Sequence, residues 1–168
     1  MSKIRWMYYP NDQKPNNQII KTIEVFEKNH DLYDSDNHTL TSNEVLNVLT
    51  KDLQKIGYQV ETDKKNKINI PVLYGENGKI SKSFDVDGYE PNLKIELEVE
   101  AGRAYTNYQV LKDFFEACMI NDADFLIIAV RNIYLKSDDY SQVKRLFDSF
   151  YSNSRMVIPF KGLLIIGY

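Results

Sequence analysis

Apolar residues recur with the three- and four-residue spacing of amphipathic helices in four segments of the chain. Asn17 is the predicted cap of the first helix, and Thr41 with Glu44 fits a capping box that begins the second, which ends at Gly57. The third and fourth helices are predicted over about residues 106–120 and 139–151. The apolar faces are Ile19, Ile20, Ile23 and Phe26; Val45, Leu46, Leu49, Leu53 and Ile56; Val110, Leu111, Phe114, Phe115, Ala117 and Cys118; and Val143, Leu146, Phe147 and Phe150.

Five further segments have the patterns of β-strands. Residues 68–74 and 79–87 flank the turn sequence Gly75-Glu76-Asn77-Gly78 and predict a hairpin. A turn at residues 88–92 leads into residues 93–101, where apolar and charged side chains alternate. Residues 125–130 and 163–166 are unbroken apolar runs, typical of parallel strands covered on both faces. We expect the first fifteen residues, with Pro10 and Pro15, to be irregular.

The resulting order, α-α-β-β-β-α-β-α-β, predicts an α/β fold with a mixed central β-sheet flanked by helices. A length of 168 residues suits a single domain. Within it, residues 1–40 form a predicted N-terminal extension with a helix, and residues 41–168 form the core.

Composition and charge limit the classes of function that the protein can have. The net charge of −3 argues against a general polyanion binder. Residues 51–82 nevertheless hold seven lysines and four acids, whereas residues 83–100 hold six acids and one lysine, Lys94. Lys64, Lys65 and Lys67 either contact a phosphate backbone or lie in a solvated turn. The start of the chain lacks the apolar stretch of a signal peptide, no apolar run approaches the ~20 residues of a membrane span, and Cys118 has no disulfide partner, so a cytoplasmic protein is expected.

The alternation in residues 93–101 predicts one face with Lys94, Glu96, Glu98 and Glu100. With Asp85 and Asp87 from the preceding strand, five carboxylates gather on that face. Two carboxylates ~4 Å apart repel by ~4 kcal/mol at an effective dielectric near 20. A divalent cation such as Mg²⁺, or protonation of one acid, removes this repulsion. The alternative is a wet acidic face without function.

The segments Phe84-Asp85-Val86-Asp87-Gly88-Tyr89 and Ile95-Glu96-Leu97-Glu98-Val99-Glu100-Ala101-Gly102-Arg103 resemble the core of the PD-(D/E)XK phosphodiesterase superfamily, which has the restriction-endonuclease-like fold. Asp87 matches the first acid of the family motif and Glu98 the second. Glu100 falls where the family usually has lysine, as in the minority of restriction enzymes with Glu-x-Glu. The pair Glu96 and Glu98 is an alternative register. At fold level the resemblance covers roughly residues 41–168.

The resemblance implies a Mg²⁺- or Mn²⁺-dependent endonuclease that hydrolyses DNA, possessing catalytic and metal-binding residues Asp87, Glu98 and Glu100. Glu44 on the helix before the sheet is a further expected metal ligand, and Arg103 or Lys112 could replace the lysine. Supporting or substrate-contacting positions are Glu96, Asp85 and Arg131. Gln109 shares a face of the third helix with Lys112, Asp113 and Glu116, and it is expected to be solvated.

Small members of the superfamily commonly form homodimers, and residues 6–9 and the first helix are expected to lie outside the core as dimer or DNA contacts. The alternative function is a catalytically inactive member of the same fold that binds nucleic acid or protein. The glutamate at position 100 favours this alternative.

Overall fold

A six-stranded mixed sheet with two helices on each face organises residues 4–63 and 65–168, the part of the chain that this computed structural model describes. The strands are β1 (Arg5–Tyr9), β2 (Gln59–Val60), β3 (Ile68–Tyr74), β4 (Ile80–Val86), β5 (Gly88–Glu90), β6 (Ile95–Glu100), β7 (Phe125–Val130), β8 (Ile133–Tyr134), β9 (Ser137–Asp138) and β10 (Gly162–Gly167). The helices are α1 (Asn17–Asn29), α2 (Ser42–Lys55), α3 (Gln109–Cys118) and α4 (Asp139–Ser152).

The sheet has the order β1-β10-β7-β6-β5-β2, and its three central strands, β10, β7 and β6, are parallel. Strands β1 and β5 pair antiparallel at either side of this centre, and β2 completes the edge beyond β5. The predicted α/β class, with a mixed sheet flanked by helices, is confirmed. Parallel pairing of the two unbroken apolar runs is also confirmed, since β7 lies directly beside β10.

Two hydrophobic layers cover the two faces of the sheet. On one face, Ile95, Leu97 and Val99 of β6 are buried under α1 and α2. On the other face, the apolar side chains of β7 and β10 that point the opposite way pack with those of α3 and α4. The alternation of β6 therefore turns its acidic side chains towards the layer that contains α3.

The helix ends follow local sequence signals, with one shift. The capping box at Thr41 and Glu44 is confirmed, and α2 gives way to Gly57 in a left-handed conformation with φ of +105°. The cap of α1 is Asn16 rather than Asn17, because the Asn16 Oδ1 accepts a hydrogen bond from the Ile19 amide at 3.0 Å. Helix α3 is shorter than predicted, and Phe115 on it is exposed.

The N-terminal segment belongs to the core, contrary to the expectation. Residues expected to be irregular form β1, which pairs with β10 so that Tyr8 lies opposite Leu164. Tyr9 is fully buried, and α1 contributes Ile19 and Phe26 to the layer that covers β6. Tyr8 and Tyr9 are thus not exposed for a dimer or DNA contact. The sequence did not predict this pairing because β10 lies at the other end of the chain.

Strands β3 and β4 form a separate two-stranded ribbon, and β8 and β9 form another. The predicted hairpin at residues 68–87 is confirmed as this ribbon, which joins the main sheet where β4 is followed by Asp87 and β5. In the described part of the chain, no helix is long and apolar enough to cross a membrane.

Strand β1 offers a test of this architecture. Tyr9 donates a hydrogen bond to Asp148 Oδ1 at 2.7 Å and stacks on Tyr151 with 4.8 Å between the ring centroids. We expect Tyr9→Ala to lower the free energy of unfolding by about 3–5 kcal/mol, the usual cost of removing a buried aromatic ring. Trp6→Ala on the same strand, where the side chain is 42% exposed, should cost much less. Urea denaturation measures both, and equal effects would contradict the buried position of β1.

Candidate acidic site

Three glutamates of β6 share the face of the sheet that α3 covers. Glu96, Glu98 and Glu100 lie opposite Leu126, Ile128 and Val130 of the parallel neighbour β7, so their immediate strand neighbours are apolar. Glu96 is only 1% exposed. The alternative of a wet acidic face does not hold for Glu96, because its side chain lies inside the protein.

Asp87 joins these glutamates from the chain between β4 and β5. Its Oδ2 accepts a hydrogen bond from the Val99 backbone amide at 2.8 Å. This hydrogen bond lies next to the pair of Gly88 and Leu97, with which the pairing of β5 and β6 begins, and it extends the contact between the two segments by one residue. Asp87 is thereby fixed at the same end of β6 as Glu98 and Glu100.

A fifth carboxylate, Asp113, comes from α3. Its side chain is buried, and its Oδ1 accepts a hydrogen bond from Gln109 Nε2 at 3.1 Å, one helical turn earlier. The helix face that contains Gln109 is therefore not simply solvated, because this side of α3 packs over β6. The carboxyl groups of Asp113 and Glu100 lie close enough to shift each other's pKa, so the helix and the strand meet at these two side chains. We call Asp87, Glu96, Glu98, Glu100 and Asp113 the acidic cluster.

Two carboxylate oxygens of the acidic cluster are buried without any hydrogen-bond partner, namely Glu96 Oε2 and Asp113 Oδ2. An unpaired buried oxygen of this kind costs free energy, because it has lost its contacts with water. These two atoms are the strongest sign that the cluster accommodates a further group.

Burial raises the pKa of every member of the acidic cluster. The pKa of Asp87 rises to about 6, that of Glu96 to about 8 and that of Glu100 to about 9. The pKa values of Glu98 and Asp113 are also raised by burial, that of Glu98 well above its ordinary value. Repulsion within the cluster acts in the same direction, notably from Asp87 on Glu98 and from Asp113 on Glu96. In the absence of a cation, several of these carboxyl groups are therefore protonated at neutral pH.

Lys112 borders the acidic cluster. Its Nζ lies 3.5 Å from Glu116 Oε2 and 3.9 Å from Asp113 Oδ1, and it lowers the pKa of both Glu100 and Asp113. The side chain is 60% exposed, so its ammonium group remains accessible from solvent. Position 100 lacks a lysine, but α3 brings one to the edge of the same group of carboxylates.

Asp85 does not join the acidic cluster. It is exposed on the outer side of the ribbon, where its Oδ2 pairs with Lys67 Nζ at 2.6 Å and its Oδ1 accepts from Asn69. Asp85 and Asp87 are two residues apart, which on one strand would place them on the same face. The chain, however, leaves the ribbon between them and enters the main sheet. Lys94 also lies apart, since it precedes β6 and pairs with Asp122 at 2.7 Å.

Glu44 and Arg131 have structural partners of their own. Glu44 Oε2 accepts hydrogen bonds from the Thr41 amide at 2.7 Å and the Thr41 hydroxyl at 2.9 Å, which is the capping box. Arg131 is buried, donates to the Leu40 carbonyl and lies over the ring of Tyr134. These contacts explain both residues without a ligand.

The remaining basic candidates lie on the surface. Arg103 is exposed in the loop between β6 and α3, with a φ of +62°. Of the lysine group, Lys65 is exposed, Lys67 pairs with Asp85, and Lys64 lies outside the described residues. Arg103 and Lys65 are therefore open to solvent, whereas Lys67 already has a carboxylate partner.

Across residues 4–63 and 65–168, no group of three or more histidine, cysteine, aspartate or glutamate side chains is preformed to hold a metal ion. The donor set of the acidic cluster nevertheless suits a hard cation, because it consists of carboxylate oxygens. A cation would have to displace protons and turn side chains in order to bind there.

No protein-family model and no curated protein sequence matches this chain. The geometry of the acidic cluster therefore carries the functional argument.

The raised pKa values predict how stability depends on pH. An acid with a folded-state pKa above its unfolded value binds extra protons in the folded protein, so the free energy of unfolding falls as pH rises between the two values. With Glu96 near 8 and Glu100 near 9, the metal-free protein should melt at a lower temperature at about pH 8.5 than at about pH 5.5. Melting in EDTA across this range measures the effect.

Glu96→Gln should weaken this pH dependence, because an amide does not titrate. Glu76→Gln removes a carboxylate that is exposed at the tip of the ribbon and should leave the pH dependence unchanged. A wild-type melting temperature that rises over the same interval would contradict the burial of the acidic cluster.

Proposed function

We propose that this protein is a Mg²⁺-dependent phosphodiesterase, an endonuclease that hydrolyses DNA, with a restriction-endonuclease-like fold. The observation that carries the proposal is the acidic cluster itself, with Glu96 Oε2 on β6 and Asp113 Oδ2 on α3 both buried and without a hydrogen-bond partner. A nuclease site of this type needs carboxylate oxygens that can hold a divalent cation beside a phosphate.

The strand arrangement supports the fold assignment. Helix α2 precedes the sheet, β5 pairs antiparallel with β6, and the chain then passes through α3 to β7, parallel to β6. The resemblance to the PD-(D/E)XK superfamily rests on an α-β-β-β-α-β order. Between α2 and α3, the main sheet has β2, β5 and β6, and the ribbon of β3 and β4 is inserted between β2 and β5. Asp87 and Glu98 stand at the two acid positions of the motif, on neighbouring segments joined by the bond from the Val99 amide.

Asp87, Glu98 and Glu100 would hold the cation, and Glu96 and Asp113 are the other two carboxylates of the acidic cluster. When bound, Mg²⁺ lowers the pKa of water and neutralises charge at the scissile phosphate. Mn²⁺ would serve similarly, because it also prefers oxygen ligands.

The side chains of this protein would orient the substrate and move protons. The Val99 amide holds the Asp87 carboxylate in place, so this oxygen position is set by the backbone of β6. Once cation binding has displaced the proton that its raised pKa retains, Glu100 would accept a proton from the attacking water. The Lys112 ammonium, next to Asp113, would supply the positive charge that the family usually takes from a lysine on the strand.

The second candidate is a catalytically inactive member of the same fold that binds nucleic acid or protein. Glu100 at the lysine position favours it, as does the lack of a preformed metal group among the described residues. Metal binding and DNA cleavage separate the two candidates.

The first experiment measures metal binding by thermal melting. A cation at a hundred times its dissociation constant adds about 2.7 kcal/mol to the free energy of unfolding, or roughly 5–10 °C for a domain of this size. We expect Mg²⁺ or Mn²⁺ to raise the melting temperature of the wild type and of Asp85→Ala, but not of Asp87→Ala. Asp85 is the matched control, since it lies two residues away but is exposed on the ribbon. An equal shift in Asp87→Ala would sink the metal site.

The second experiment measures DNA cleavage. Incubation with supercoiled plasmid and Mn²⁺ should produce nicked DNA, and Glu98→Ala should slow nicking by at least about 100-fold through loss of the cation site. Asp85→Ala should nick at the wild-type rate. Nicking that persists in Glu98→Ala would exclude this cluster as the catalyst, whereas metal-dependent binding without nicking would identify the inactive binding module.

A further inference from the structure

The ribbon of β3 and β4 has a base that packs on the protein and an end that does not. Val72, Phe84 and Val86 are buried in the layer that contains α3 and α4. Beyond them, every residue from 73 to 82 is exposed. We call residues 73–82 the ribbon end.

The ribbon end combines apolar and basic side chains. Leu73, Tyr74 and Ile80 are 58%, 64% and 60% exposed, which is unusual for three large apolar residues within one short segment. Lys79 and Lys82 form no ion pair with any residue between 4 and 63 or between 65 and 168, although Lys67 at the base of the same ribbon is paired. The protein as a whole has a net charge of −3, so these lysines form a local basic site on an acidic molecule.

The ribbon end is joined directly to the acidic cluster. Strand β4 continues from Lys82 to Val86 and is followed at once by Asp87. Lys82 and Asp87 are thus five residues apart, or roughly 17 Å for an extended chain at about 3.3 Å per residue. This span is about half of one ~34 Å helical turn of B-DNA. The major groove, about 12 Å wide, accepts a two-stranded β-ribbon.

We propose that the ribbon end binds duplex DNA in the major groove, about half a helical turn from the phosphate that faces the acidic cluster. Lys79 and Lys82 contact phosphates, and Leu73, Tyr74 and Ile80 contact base edges such as thymine methyl groups. This inference rests on the proposed function, because it takes DNA as the substrate. It adds a recognition surface outside the carboxylates.

A second copy of this chain fits the ribbon end less well. A two-fold contact between ribbon ends would bring Lys79 and Lys82 towards the same lysines of the other copy, with Glu76 as the one acid available within each ribbon end. Polyanionic DNA instead neutralises both lysines and releases bound counterions.

The experiment measures binding of a duplex of about 30 base pairs, labelled for fluorescence anisotropy, in EDTA at several salt concentrations. Each phosphate contact adds about 0.9 to the slope of log K against log salt concentration. Lys79→Ala with Lys82→Ala should therefore weaken binding and reduce the slope by about 1.8. The matched control is Lys21→Ala with Lys51→Ala, two exposed lysines on α1 and α2, which cover the opposite face of the sheet from the ribbon. It should leave the slope unchanged.

The apolar side chains give an independent readout. Leu73→Ser with Ile80→Ser should weaken duplex binding by about tenfold without a change in slope, since no charge is removed. Ile20→Ser, an exposed apolar position on α1, is the control. Both variants should retain the wild-type melting temperature, because the substituted side chains are exposed.

Three results would overturn the proposal. The first is a wild-type protein that binds no duplex, and the second is an unchanged salt slope in the variant that lacks Lys79 and Lys82. The third is a sedimentation experiment in which Leu73→Ser with Ile80→Ser converts a dimer to a monomer while DNA binding persists. The last result would identify the ribbon end as a self-association surface. Each is distinct from failure of the proposed function, which appears as loss of the metal-induced melting shift and of nicking.

Discussion

Mutual repulsion among the five carboxylates between β6 and α3 is the constraint on which the candidate site depends. At an effective dielectric near 20, each pair of charges ~4 Å apart costs ~4 kcal/mol, which is a large fraction of the ~5–15 kcal/mol that stabilises a typical domain. The folded protein tolerates the cluster because burial and repulsion keep several members protonated. The opposite face of β6 compensates, since Ile95, Leu97 and Val99 are buried there and each contributes about 1.5–3 kcal/mol.

The same strand thus has an apolar face and an acidic face, and the neighbouring elements keep them apart. Helices α1 and α2 cover the apolar side, and α3 covers the acidic side with Asp113 and Gln109 directed at it. Pairing of β6 with β7 is parallel along its whole length, which holds the glutamates at fixed heights above an apolar neighbour. The site is therefore built on rigid strands, with one helix supplying a carboxylate and a lysine.

Local patterns in the sequence were sufficient for the parts of the site that lie on one strand. Alternation alone predicts that Glu96, Glu98 and Glu100 share a face, and the unbroken run in β7 predicts its burial. Asp113 could not be found this way, because the polar stripe on α3 looks the same whether it meets water or a sheet of glutamates. Asp85 was wrongly grouped with Asp87, because residues two apart on one strand point to the same face. No local signal in the sequence marks where the chain leaves the ribbon. The pairing of β1 with β10 joins residues too far apart in the sequence for any local pattern to reveal.

Under the proposed function, the distribution of charge offsets the electrostatic repulsion between the acidic cluster and DNA. DNA phosphates and a carboxylate cluster repel each other, so a substrate would approach the site only with a cation bound and with attraction supplied from elsewhere. Lys112 contributes charge at the edge of the cluster, but two of its nearest neighbours are the acids Asp113 and Glu116. Lys79 and Lys82 have no such partner among the described residues. A basic contact about half a helical turn away would hold the duplex while the carboxylates, with a cation bound, contact a single phosphate. The net charge of −3 does not reveal this separation of basic and acidic contacts.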